Sequence, residues 1–155
     1  MFSIAFICTA NVCRSVMAHA ICAAEVAKRG WNIELYSGGV MDFSGTPAYQ
    51  YAWMSCCQHG TPLAKEGSTF VGALPLPTIN RFLVMEERHA EELVAGHGID
   101  RARITLLASF DPEGGGPEID DPITQGSLAT ERCYLRLRRC VTNYLDTAAD
   151  IPRPT

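Results

Sequence analysis

The stretch Phe2 to Ser15, FSIAFICTANVCRS, constrains this chain more than any other. Phe2 to Ile7 is an apolar run that reads as a buried strand. It ends at Cys8, a tight polar turn of Thr9-Ala10-Asn11 follows, and Arg14 and Ser15 open a helical pattern. Strand, short loop and helix N-terminus is a geometry in which backbone N–H groups converge on an anion. A cysteine at one end of that loop and an arginine at the other suggest a thiolate nucleophile facing a bound phosphate. A helix N-terminus and a neighbouring cation both favour the thiolate. The plain alternative is a buried Cys8 that only closes a core strand. A Cys and an Arg six places apart carry little weight alone; the strand before, the serine after and the helix beyond give the spacing its meaning.

From Ser15 to Arg29, Met17, Ala20, Ile21, Ala24 and Ala27 recur at helical spacing, and Gly30 ends the pattern. Ser15 serves either as its cap or in the chemistry. Trp31 to Leu35 alternates as a second strand, closed by a Ser37-Gly38-Gly39 turn. A strand, a helix and a strand in succession make a right-handed parallel unit. Thr46-Pro47 reads as a helix start, with the helix running to about Gln58 and Cys56 and Cys57 as packing residues on it. Phe82 to Met85 is a third strand, Glu86 to Ala95 a helix, Ile104 to Leu107 a fourth strand and Ser127 to Asp146 the last helix. On that last helix Arg132, Arg136 and Arg139 read as a solvated face.

The predicted fold is therefore α/β: a single domain over residues 1–147 and a loose tail over 148–155. Its sheet has four parallel strands in flavodoxin-like order 2-1-3-4, with helices on both faces. Ligands of such sheets bind beyond the strand C-termini. Cys8, Ser37, Glu86 and the long connection 108–126 all follow strand ends. That connection holds Gly114-Gly115-Gly116 and two Asp-Pro pairs, Asp111-Pro112 and Asp121-Pro122. A loop of such length inside a compact domain is usually functional.

Composition narrows the function classes. The net charge is −4, with no basic cluster longer than Arg136 to Arg139, which argues against nucleic acid as a partner. No apolar run approaches the ~18 residues of a membrane span, and FSIAFI is too short for a signal peptide and lacks a basic start. The seven cysteines, at 8, 13, 22, 56, 57, 133 and 140, make no C-x-x-C pair and no ligand spacing with histidine, which speaks against a metal site. An odd number of cysteines without a leader predicts reduced thiols and a cytoplasmic setting. No cofactor is called for.

Cys8 to Ser15, C-T-A-N-V-C-R-S, resembles the signature of the low-molecular-weight protein tyrosine phosphatases, Cys-x5-Arg-Ser/Thr near the N-terminus. The resemblance includes the second cysteine, Cys13, and extends over roughly Phe2 to Leu145. It implies a phosphate-binding loop of Thr9, Ala10, Asn11, Val12, Cys13, Arg14 and Ser15, with Cys8 as nucleophile and Arg14 on the phosphate oxygens. It makes the Ser15 hydroxyl a donor to the sulfur and Ser37 a support for Asn11. The general acid of the family is an Asp-Pro aspartate just before the last helix. Asp121 matches it, six residues ahead of Ser127, while Asp111-Pro112 matches a non-catalytic family dipeptide. A simple Asp-Pro turn is the alternative for Asp121. The loop carrying Phe43 supplies a cleft wall, unless Phe43 only packs onto the domain. The resemblance further implies a reversible Cys8–Cys13 disulfide that protects the nucleophile from over-oxidation.

Several positions depart from the family pattern. Relatives that act on phosphotyrosine usually carry aromatics after the Asp-Pro pair to sandwich the phenyl ring; this chain has Ile123-Thr124 as its cleft wall. Ala10 stands where Gly is common, Val16 where Pro often follows, and Lys65 where many relatives have a histidine or another polar residue. The expected activity is metal-free hydrolysis of phosphotyrosine in a phosphorylated protein, through a phosphocysteine. One rival is an arginine phosphatase of the same fold, whose members tend to carry Thr where this chain has Val12. A thioredoxin-coupled arsenate reductase ranks lower, because residues 61–132 contain no cysteine. A non-catalytic phosphate-binding module is the alternative outside enzymes.

Overall fold

The computed structural model describes residues 1–154. β1 (Phe2–Cys8) lies in the middle of the sheet because both of its faces are apolar. Ile4, Phe6 and Cys8 point into one core cluster, Ala5 and Ile7 into the other. β2 (Ile33–Gly39) pairs with it on one side, from Phe2 opposite Ile33 to Cys8 opposite Gly39. β3 (Arg81–Val84) pairs on the other side, and β4 (Ile104–Leu106) adds to β3. All pairings are parallel and the order is β2-β1-β3-β4, as predicted. α1 (Arg14–Arg29), α2 (Gln50–Gln58) and α4 (Gly126–Thr147) cover one face, while α3 (Glu87–His97) covers the other. Among the described residues, no helix is long and apolar enough to cross a membrane.

Three expectations are corrected. Ser37-Gly38-Gly39 is not a turn but the end of β2, with Gly39 N–H donating to Thr69 O at 2.9 Å. Thr46-Pro47 does not start a helix. The Thr46 hydroxyl donates to Phe43 O at 2.6 Å and its carbonyl accepts from Ser68 N–H at 2.8 Å, so this segment pairs with the 68–69 loop and α2 begins only at Gln50. The tail is not loose: Ala148 and Ile151 are buried in the core, Arg81 forms an ion pair with Asp150 at 2.5 Å, and Arg153 donates to Leu145 O. Apolar burial at residue 151 and that ion pair hold the chain past the end of α4. Thr155 lies outside the described residues.

Candidate active site

The loop after β1 is shaped by its neighbours. Val40 N–H donates to Cys8 O at 3.0 Å and Met41 N–H to Thr9 O at 2.9 Å, which carries the sheet's pairing onto the loop. Asn11 adopts a left-handed conformation (φ 58°), which asparagine tolerates better than most residues with a side chain. That turn aims the Asn11 N–H at Cys8 Sγ, 3.3 Å away.

The Asn11 side chain then fixes the direction of every hydrogen bond around the sulfur. Its Oδ1 accepts from Thr69 N–H at 2.9 Å and from the Lys65 ammonium. Its Nδ2 must therefore donate, and it does so to Ser15 Oγ at 2.6 Å. The one hydroxyl hydrogen of Ser15 is left free for Cys8 Sγ, 2.8 Å away. Cys13 precedes α1 at the cap position, and no side chain caps that helix. Ser15 thus spends its hydroxyl on the sulfur rather than on the helix end. The first-turn N–H groups remain available to an anion.

Arg14 is the largest fully buried side chain of the core, at 1% exposure, and its charge needs fixed partners. Its Nη1 donates to Glu86 Oε2 at 2.6 Å and to Ile119 O at 2.7 Å. Burial works against the Glu86 carboxylate, yet hydrogen bonds from Arg88 and Arg14 hold its pKa down to about 2. Glu86 N–H donates to His89 Nδ1 at 3.1 Å, which puts the proton of the neutral ring on Nε2, facing Thr9 Oγ1 at 3.0 Å. Burial and the nearby Arg14 charge push His89 down to about 3. Arg88 also donates to Thr9 Oγ1, at 2.6 Å. The segment Glu86 to His89 therefore buttresses both ends of the loop.

Asp121 reaches the loop from the long connection before α4. Its Oδ2 lies 3.5 Å from Arg14 Nη2 and its Oδ1 accepts from Ile123 N–H at 3.1 Å. It shares a small cavity of about 20 Å³ with Cys8, Arg14, Val12, Cys13 and Ile123. The connection is pinned by the face of α4 read from sequence as solvated, and that reading is corrected for two of its three arginines. Arg136 and Arg139 clasp the buried Asp111 carboxylate, at 3.0 and 3.3 Å. Arg136 also donates to Glu118 O at 2.7 Å and Gly116 O at 2.8 Å. Gly114, Gly115 and Gly116 all have positive φ (75°, 102° and 97°), the tight path that brings these carbonyls to one guanidinium. Arg132 alone is exposed. Asp111 is consumed structurally, and only Asp121 faces the loop.

The remaining sequence candidates separate. Ser37 is buried, but its hydroxyl meets His19 Nδ1 at 3.0 Å; Asn11 is held instead by Thr69, Lys65 and Ser15. Ile123 lines the cavity with Asp121, Thr124 is not among its lining residues, and Phe43 stands 46% exposed on its loop. Cys13 and Cys8 line the cavity as free thiols, and burial pushes the Cys13 thiol far up. Sequence reasoning missed His89, Arg88, Thr69 and the Ile119 carbonyl. Only His89 left a signal, since Glu86-x-x-His89 has the spacing of a reciprocal helix cap. Among the described residues, no group of three or more His, Cys, Asp or Glu is placed to hold a metal ion.

Such a constellation can place a sulfur nucleophile below a bound anion, cradle its oxygens with loop amides and a guanidinium, and hold a carboxylic acid on the open side. Comparison with known proteins agrees. The chain is 31% identical over 124 residues to low molecular weight protein-tyrosine phosphatase A of Mycobacterium tuberculosis, covering 77% of this chain and 74% of that protein. The structure of a low molecular weight protein tyrosine phosphatase from T. tengcongensis superposes with a TM-score of 0.85 at 22% identity, over 94% of this chain and 99% of that one. The YwlE arginine phosphatase from Geobacillus stearothermophilus gives 0.82 at 23% identity, over 94% and 92%. The family model described as low molecular weight phosphotyrosine protein phosphatase matches residues 3–151. With the model spanning nearly the whole chain, and the fold and relatives in accord, this protein belongs to the low molecular weight phosphotyrosine protein phosphatase family.

Proposed function

We propose that this enzyme hydrolyses phosphotyrosine in proteins through a phosphocysteine. The observation that carries the reading is the meeting of Cys8, Arg14 and Asp121 at one small cavity. The Cys8 sulfur attacks phosphorus in line, and the P–O bond to tyrosine breaks. Amides of residues 9–14 and the Arg14 guanidinium hold the equatorial oxygens, where transition-state charge accumulates. Asp121 protonates the leaving phenoxide. The same carboxylate then takes a proton from water, which attacks phosphorus and expels the sulfur as thiolate, and Ser15 O–H stabilises that thiolate.

The test is hydrolysis of p-nitrophenyl phosphate in the presence of a chelator. Cys8→Ser is expected to abolish turnover, and Asp121→Ala to lower kcat by roughly 10²–10⁴-fold, the range of general acid catalysis. Unchanged turnover in Cys8→Ser would rule out the phosphocysteine. A second reading, phosphoarginine, draws support from Ile123-Thr124, which offer no aromatic face to a phenyl ring. Val12 favours the first: it lines the cavity with a hydrocarbon side chain and offers a guanidinium no acceptor. Relative kcat/KM on phosphotyrosine and phosphoarginine peptides decides between them.

The free thiols suit a reducing, cytoplasmic setting. Cys13 serves there as resolving thiol: peroxide converts Cys8 to a sulfenic acid, which condenses with the Cys13 thiol to a disulfide and water. Peroxide inactivation should be reversed by dithiothreitol in the wild type and become irreversible in Cys13→Ala. Equal recovery of both proteins would remove Cys13 from that role.

A further inference from the structure

The Cys8 cavity is lined unevenly: Val12 and Ile123 give it hydrocarbon, while Thr9 gives it a hydroxyl. Beside Thr9 stands Arg88, on the first turn of α3, exposed yet held in place. Its Nη2 donates to Thr9 Oγ1 at 2.6 Å and to Glu86 Oε2 at 3.2 Å, and its Nε donates to Glu86 Oε1 at 3.2 Å. Its Nη1 has no acceptor among the described residues.

Charge and hydrogen bonds both leave this edge unsatisfied. Glu86 is one carboxylate shared by two guanidinia, Arg14 at 2.6 Å and Arg88 at 3.2 Å. The next carboxylate of α3, Glu87, pairs with Arg101 at 3.1 Å instead. Arg14 spends its remaining charge on the substrate phosphate, whereas Arg88 keeps its own. Thr9 Oγ1 accepts from Arg88 and from His89 Nε2, so its one hydrogen is left to donate. Donors are in excess here, which suits an anion. An exposed arginine ordinarily loses side-chain freedom when it pairs, but Arg88 is already fixed by Glu86 and Thr9, and that cost is smaller.

We propose that Arg88 is a specificity-determining residue: its free Nη1 edge binds the carboxylate of an aspartate or glutamate next to the phosphotyrosine of the protein substrate. This rests on the phosphotyrosine reading above. With the phosphate taken by Arg14 and the loop amides, the chain flanking phosphotyrosine comes to the rim at Thr9 and Arg88. The contact forms on binding and persists through the chemical step, so it raises kcat/KM for acidic sequences chiefly by lowering KM.

The experiment measures kcat/KM at about pH 6.5, where glutamate is ionised, on phosphotyrosine peptides alike except for Glu or Gln at the residues flanking phosphotyrosine. Wild type is expected to prefer the Glu peptide by about fivefold in dilute buffer, as for a well-placed exposed charge pair, and to lose most of that preference in about 1 M salt. Arg88→Gln should bring the ratio to one, Arg88→Lys should keep part of it and Arg88→Glu should invert it. Because each ratio is taken on one enzyme, any effect of Arg88 on the phosphate loop cancels. A wild type with equal kcat/KM on both peptides overturns the proposal, as does an Arg88→Gln enzyme that slows on both alike and keeps the preference. If Arg88→Gln does not fold, a crystal structure of Cys8→Ser with the Glu peptide bound decides: the peptide carboxylate on Arg88 Nη1 supports the proposal, and a carboxylate placed elsewhere overturns it. A wild type that hydrolyses neither peptide overturns the phosphotyrosine reading itself and the proposal with it.

Discussion

At Gly39, a Cβ built on the backbone would stand 2.7 Å from Thr9 O and 2.8 Å from Ala10 C. β2 therefore ends in a residue without a side chain so that the loop after β1 can lie directly against it. Asn11 completes the arrangement from within, its left-handed backbone turned toward the sulfur and its side chain tied down by Thr69 and Lys65. These two positions shape the anion cradle before any charged group acts. Gly39→Ala is expected to fold with a loss of about 1–3 kcal/mol, as for other overpacked sites. Displacing the loop amides should cost at least about tenfold in kcat/KM. Thermal melting and p-nitrophenyl phosphate kinetics on the same preparation check this; wild-type kinetics would mean the contact does not fix the loop.

Among the elements, α4 does more than cover the sheet. Arg136 links Asp111, Gly116 and Glu118 on the connection that delivers Asp121. Removing it leaves the buried Asp111 carboxylate with Arg139 as its cation. Arg136→Met should destabilise the fold by roughly 1.5–3 kcal/mol, the worth of a hydrogen bond to a charged group, because Arg139 still neutralises Asp111. It should also lower kcat more than it raises KM, because the acid loses its fixed place. Hydrogen exchange should quicken over 111–121 and stay slow in β1; uniform quickening would argue against a local anchor.

The same region shows what could be read from the chain and what could not. The strand, loop and helix around Cys8 announce themselves through local pattern; Asp121 is one of two Asp-Pro aspartates, and only the family resemblance set it apart from Asp111. The face of α4 was legible as a stripe of arginines, but what meets that face lies 25 residues away at Asp111. Lys65 and Asn11 are 54 residues apart, His89 and Thr9 80 apart, and no periodicity encodes such meetings. Ser37-Gly38-Gly39 looked like a turn because glycines are read locally. Pairing with β1 on one side and the needs of the loop on the other overrode that propensity.

For the molecule as a whole, two buried histidines link stability to pH. His19, bonded to Ser37, and His89, bonded to Thr9, sit on opposite sides of the sheet with α1 and α3. Burial lowers both, from an ordinary 6.5 to about 4 and about 3, so each is neutral when folded at pH 7. The unfolded chain takes up these protons first. The stability they contribute is complete well above about pH 6.5 and is lost as pH falls toward about 4 for His19 and about 3 for His89. Between pH 7 and pH 5 each histidine should remove about 2 kcal/mol from the folding free energy. Glu86 extends the same trend at lower pH, because its folded pKa of about 2 lies below its ordinary 4.5 and protonation again favours the unfolded chain. Urea midpoints at pH 7 and pH 5 should differ markedly in the wild type. The difference should shrink in His19→Asn, whose amide meets Ser37 without a titrating group. If the wild-type midpoints coincide, the two histidines are not held neutral in the fold. If His19→Asn keeps the full difference, His19 is not one of the groups responsible.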